Sequence, residues 1–69
     1  MERAAVDSSN IKSVGYDPAT KLMHVEFSNG GVYEYSGIEP HVHNEFVGAD
    51  SMGSHFAKFI RPHYPGKKL

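Results

Sequence analysis

The residues of this chain with chemistry to offer gather toward its C-terminal end. Ser51, Gly53, His55, Lys58 and Arg61 fall at short intervals, and Lys67 and Lys68 follow. A serine hydroxyl and backbone amides at a helix start, with cations one or two turns further on, suit a phosphate or carboxylate. A glycine in that stretch lets such a group come close to the backbone. The same residues have plainer uses. Ser51 caps a helix, Gly53 makes a turn, and the cations stand in solvent or pair with Asp50 or Glu45. Residue types alone leave both readings open.

The five histidines raise the question of a metal. His41 and His43 are two apart, which on a helix turns them to different sides. His24, His55 and His63 belong to separate elements, and the chain has no cysteine. A structural zinc site wants four closely spaced ligands, so neither metal nor cofactor is expected. Histidines beside a positive segment predict charge gained below about pH 6.5. Catalysis finds little support. No serine occupies a nucleophile elbow or stands beside an assignable histidine and acid. Gly30-Gly31 reads as a hairpin rather than a phosphate loop. So short a chain also has little room for a deep pocket, and a non-catalytic protein is expected.

Net charge is −1 over 69 residues, but its distribution is uneven. All eight acidic residues lie at or before Asp50, where three cations leave the first fifty residues at −5. Residues 51–69 hold Lys58, Arg61, Lys67 and Lys68 and no acid, a charge of +4. Such asymmetry suggests a basic face for a phosphate backbone or an acidic protein; a solvated tail is the plainer alternative. No apolar run is long enough for a membrane span, and Met1–Ala5 is too short and polar for an export signal. The expectation is no membrane partner and a cytoplasmic location.

These residues need elements to position them. Val14 and Tyr16, then Met23, Val25 and Phe27, then Tyr33 and Tyr35 alternate with polar neighbours. Period-two alternation of β-branched and aromatic residues marks a half-buried sheet. Asp17-Pro18 opens a turn, and Asn29-Gly30-Gly31 supplies residues that tolerate positive φ. One apolar face requires a four-residue loop over 18–21, pairing Tyr16 with Met23 and Val14 with Val25. It likewise requires an odd loop over 29–31, pairing Phe27 with Tyr33 and Val25 with Tyr35.

A helix starts near Pro40, with Val42, Phe46 and Ala49 as its buried stripe. A second starts after Ser51, turns Phe56, Phe59 and Ile60 inward, and closes at Pro62. The fold class is therefore α+β, a three-stranded antiparallel meander followed by two short helices packed on one face. The expected core is Val14, Tyr16, Met23, Val25, Phe27, Tyr33, Tyr35, Ile38, Val42, Phe46, Phe56 and Ile60. Residues 1–8 read as a flexible tail, 9–65 as one domain and 66–69 as a basic tail. A base could stack on Tyr33 and Tyr35 only if their face were open, and the alternation turns it toward the core.

The ordered pattern Ser8-Ser9-x-Ile11, Gly15-Tyr16, Met23-x-Val25-x-Phe27, Gly31-x-Tyr33-x-Tyr35, Ala49-x-Ser51-x-Gly53, Ile60-Arg61 and Tyr64-Pro65 resembles the KTSC domain. That family is named for the C-terminal end of some lysyl-tRNA synthetases and also occurs as short stand-alone bacterial and phage proteins. The resemblance spans roughly residues 8–65, with the Tyr-x-Tyr pair as its clearest mark. It implies RNA association, without implying that this chain acts on a lysine tRNA. Two readings follow. The first is RNA or DNA binding through Ser51, Gly53, His55, Lys58, Arg61, Lys67 and Lys68. The second is a module that binds a host or bacterial protein, through a sheet edge or through the outer sheet face at Leu22, His24, Glu26, Val32 and Glu34.

Overall fold

The alternating runs become strands because each can bury one face and hydrogen-bond along both edges. A computed structural model describes residues 3–6 and 10–69, with backbone alone for residues 3–5. Its strands are β1 (Arg3–Ala5), β2 (Ile11–Asp17), β3 (Leu22–Phe27), β4 (Val32–Tyr35) and β5 (Gly66–Lys68). They form one sheet in the order β1-β2-β3-β4-β5, with every neighbouring pair antiparallel. The expected three-stranded meander is thus the centre of a five-stranded one. Neither added strand alternates, and alanine, glycine and lysine are poor strand formers, so the pairing comes from the open edges of β2 and β4. Gly66–Lys68, expected as a basic tail, closes the sheet. Of the expected flexible tail, Arg3–Ala5 is strand, and residues 1, 2 and 7–9 lie outside the described residues.

The β2–β3 connection is as expected. Tyr16 pairs with Met23, Val14 with Val25, and Asp17 with Leu22, leaving residues 18–21 as the loop. Asp17 Oδ1 accepts from the Ala19 amide at 3.0 Å, and Lys21 takes a positive φ of 57° to end the turn. The β3–β4 register differs by two residues from expectation. Met23 pairs with Tyr35 and Val25 with Tyr33, while the Phe27 amide donates to the Gly31 carbonyl at 2.8 Å. The loop is therefore residues 28–30. Gly30, at φ 93°, takes the left-handed position that ends a three-residue hairpin loop. The expected loop 29–31 and the observed loop 28–30 are both odd, so the same side chains still face the core.

A bulge in β2 corrects the parity of its first residue. Ile11 pairs with Phe27 and Ser13 with Glu26, which leaves Lys12 as the extra residue. Strict alternation would put Ile11 on the outer face with Ser13. The bulge turns it inward, to 1% exposure.

Helix α1 (Pro40–Val47) begins with proline at its first position and ends at Gly48. Helix α2 (Met52–His55) runs into a π-helical turn, Phe56–Ile60, closed by the Arg61 amide on the Phe56 carbonyl at 2.9 Å. Both helices lie on one face of the sheet. Phe56 packs edge-on to Phe27 and Tyr35, at ring separations of 5.3 and 5.4 Å, and tilts against Phe46 at 6.1 Å. Of the expected core, Val14, Met23, Val25, Tyr35, Ile38, Phe46, Phe56 and Ile60 are buried together with Ile11 and Met52, while Tyr16, Phe27, Tyr33 and Val42 are partly buried and pack against that cluster. Tyr16 reaches its edge, where its hydroxyl donates to the Ile38 carbonyl at 2.7 Å and its ring stacks on His43 at 4.4 Å. Two expectations fail: Ala49, expected in the buried stripe of the first helix, lies past its end at Val47 and is only partly buried, and Phe59, expected inside, is outside. Phe59 is 55% exposed because the wider π turn keeps Phe56 and Ile60 inside while swinging the residue between them outward.

Candidate functional site

Ser51 stands at the start of α2, where its hydroxyl accepts from the Ser54 amide at 3.4 Å. That is a helix-capping contact, and α2 is a single turn long. Gly53 lies against Asn10, and a side-chain β-carbon at position 53 would stand 3.2 Å from Nδ2 of the Asn10 side chain. Glycine here lets α2 close onto the first residue before β2. Two segments of the resemblance pattern, at Asn10-Ile11 and at residues 51–53, are thereby neighbours in space.

Beyond Gly53 the chain is basic and aromatic. The His55 ring lies 4.8 Å from Phe59 and 6.2 Å from Phe46, so it bridges the exposed ring and the core. Lys58 and Arg61 flank Phe59 in sequence, and both are exposed. The exposed phenylalanine with cations on either side was not anticipated. Its signal was the i, i+4 spacing from His55 within an acid-free run, obscured by its i+3 spacing from Phe56, which argued for burial.

The last two cations are held by strand pairing. Lys68 pairs with Tyr33 on the helix-bearing side of the sheet. Lys67 pairs with Glu34 and so lies on the outer side, where Glu34 Oε2 also meets His24 Nε2 at 2.8 Å. The seven candidate residues therefore divide: Ser51 and Gly53 shape α2, Lys67 lies on the outer face, and His55, Lys58, Arg61 and Lys68 belong to the helix-bearing side.

The two tyrosines of the central pair also differ. Tyr35 is 4% exposed, and Gly66 packs directly on its ring. Burial raises its hydroxyl pKa above the usual value, the neighbouring Tyr33 adds to the rise, and the positive charge of Arg61 opposes it. Tyr33 stays half-exposed, edge-on to Phe27 at 5.6 Å. Below the hairpin tip, Asn10, Phe27, Ser28 and Asn29 line a shallow depression.

On the outer face the Ser13 hydroxyl donates to Glu26 at 2.9 Å rather than to His24. Its proton is committed to a carboxylate, and no serine–histidine pair forms there. Among the described residues no group of three histidines, cysteines or carboxylates comes together to hold a metal. No helix among them is long and apolar enough to cross a membrane.

Residues 7–64 match the family model of the KTSC domain. The crystal structure of a KTSC domain protein from Yersinia pestis superposes with a TM-score of 0.94 at 34% identity, covering 99% of this chain and 96% of that one. An "uncharacterized protein" of Stutzerimonas stutzeri (strain A1501) is 43% identical over 65 residues, 93% of this chain and 92% of the relative. A lysine–tRNA ligase of Nostoc punctiforme is 36% identical over 63 residues. That match takes in 91% of this chain but only 11% of the ligase.

Proposed function

The chain belongs to the KTSC domain family, and we propose that it is a non-catalytic module that binds single-stranded nucleic acid through the helix-bearing side of its acid-free segment. One observation carries this reading. The π turn displays Phe59 in solvent between Lys58 and Arg61, with His55 against its ring. An exposed aromatic ring gives a base a stacking surface, and cations beside it track the phosphates; strands without regular pairing are bound this way. Lys68, fixed beside Tyr33 in β5, extends the positive surface toward the sheet edge. The Nostoc ligase is by its name an enzyme that works with a tRNA, and its likeness to this chain lends support to an RNA partner.

Nothing comparable favours the outer face as a docking site for a protein. Its side chains include two hydrogen-bonded pairs, His24–Glu34 and Ser13–Glu26.

The reading is tested by fluorescence anisotropy with labelled RNA and DNA oligomers at two salt concentrations. If the three cations of the helix-bearing side (Lys58, Arg61 and Lys68) each neutralise a phosphate, affinity for a single strand falls about twentyfold between 50 and 200 mM salt. Affinity independent of salt, or no binding at 50 mM, would refute it.

A further inference from the structure

We propose that the depression between the β3–β4 hairpin tip and Asn10, the residue before β2, holds one unpaired nucleobase, an inference that rests on the nucleic-acid reading above. Its volume is about 340 Å³, and it is lined by Asn10, Phe27, Ser28 and Asn29. Ligand pockets run from roughly 300 to 1,000 Å³, so this one suits a ligand of one or two rings. None of the described residues that line it carries a charge, so nothing among them pairs with a phosphate, a carboxylate or a cation. A neutral, flat group with hydrogen-bonding edges fits the lining, and a base is such a group.

The parts are held in place. Phe27 is braced edge-on by both Tyr33 and Phe56, so its ring offers a fixed apolar surface. The Asn10 carbonyl accepts from the Ser28 amide at 2.9 Å, which ties the two sides of the depression together. The Asn10 carboxamide rests against Gly53. The Asn29 Oδ1 atom accepts from the Gly31 amide at 3.0 Å, and the NH₂ of that carboxamide is then the end with donors to offer. Each carboxamide combines a donor and an acceptor, the pairing that reads the edge of a base. A base in a duplex has its edge occupied and its faces stacked, so this depression selects single strands. From Gly53 to Phe59 the helix rises by about 9 Å, within reach of a few nucleotides that run from the depression to the stacking ring.

The test uses the full chain, labelled six-nucleotide homopolymers of each RNA base, and a blunt duplex of similar length, all at 50 mM salt. The paired variant Asn10→Ser, Asn29→Ser stays neutral, and serine supplies a weaker form of the same turn contact. A second variant, Asn10→Ser alone, leaves the hairpin tip intact. The expected result is that the wild type binds at least one homopolymer about tenfold tighter than the duplex. The paired variant loses about tenfold on that homopolymer and keeps the wild-type salt dependence, and the single variant shows part of the loss. Equal affinity for strand and duplex, or unchanged affinity in both variants, overturns the base site while leaving the basic surface standing. Failure of the wild type to bind any oligomer removes the reading beneath it and the base site together.

Discussion

Phe59 separates stability from binding within a single side chain. Because its ring is more than half exposed, truncation to alanine removes little buried area and should move stability by no more than about 0.5 kcal/mol. Loss of one base-stacking ring costs about 1–3 kcal/mol of binding, or roughly tenfold or more in affinity. Thermal denaturation and anisotropy on Phe59→Ala check the two halves independently. The Lys21–Glu39 pair, with Nζ and Oε1 2.7 Å apart, gives a prediction about pH. The hydrogen bond from Lys21, and then its charge, hold the Glu39 carboxyl below its ordinary value of 4.5. A carboxyl whose folded pKa is depressed stabilises the protein above its unfolded pKa, and that stabilisation fades as pH falls through the folded value. Urea denaturation from pH 7 down to about 3 should therefore show a steeper acid loss in the wild type than in Lys21→Met. Both side chains are about half exposed, so the difference will be small.

At the scale of elements, strands with alternating sequence were legible and strands without it were not. Val14, Met23 and Val25 declared their strands and their inward face. Arg3–Ala5 and Gly66–Lys68 carry no such pattern, and their structure is imposed by the neighbours they pair with. The β3–β4 register was missed by two residues because Asn29-Gly30-Gly31 allows more than one odd loop, and only the φ of Gly30 decides between them. The bulge at Lys12 and the π turn at Phe56–Ile60 were missed for one reason. Each adds a residue to a regular repeat, and periodicity assumes that none is added. Those additions placed Ile11 inside and Phe59 outside. Of the candidate site, the acid-free stretch was legible as charge, whereas its division between the two sides of the sheet depended on β5. Gly66 makes that strand testable: a β-carbon there would lie 2.6 Å from Cε1 of Tyr35. Gly66→Ala should lift β5 from β4, which amide exchange would register as faster exchange at Lys67 and Leu69, whose amides face β4. Nucleic-acid affinity should fall with it, because Lys68 loses its fixed place beside Tyr33.

Across the whole molecule, a small core and an uneven charge work together. A 69-residue domain has a total stability of roughly 3–10 kcal/mol. Phe46 is fully buried at the meeting of α1, α2 and the sheet, and Phe46→Ala should remove about 3–5 kcal/mol of that. Circular dichroism should find this variant largely unfolded near 37 °C, with binding lost through the fold rather than through a contact. The acids of the first fifty residues leave the following stretch as the place where a polyanion is met with least repulsion. The most direct test is a ¹⁵N–¹H NMR titration of the intact chain with a short single-stranded RNA at low salt. The account predicts shift changes concentrated in residues 55–61 and at Lys68, reversed by added salt; an unchanged spectrum over residues 51–69 would contradict it.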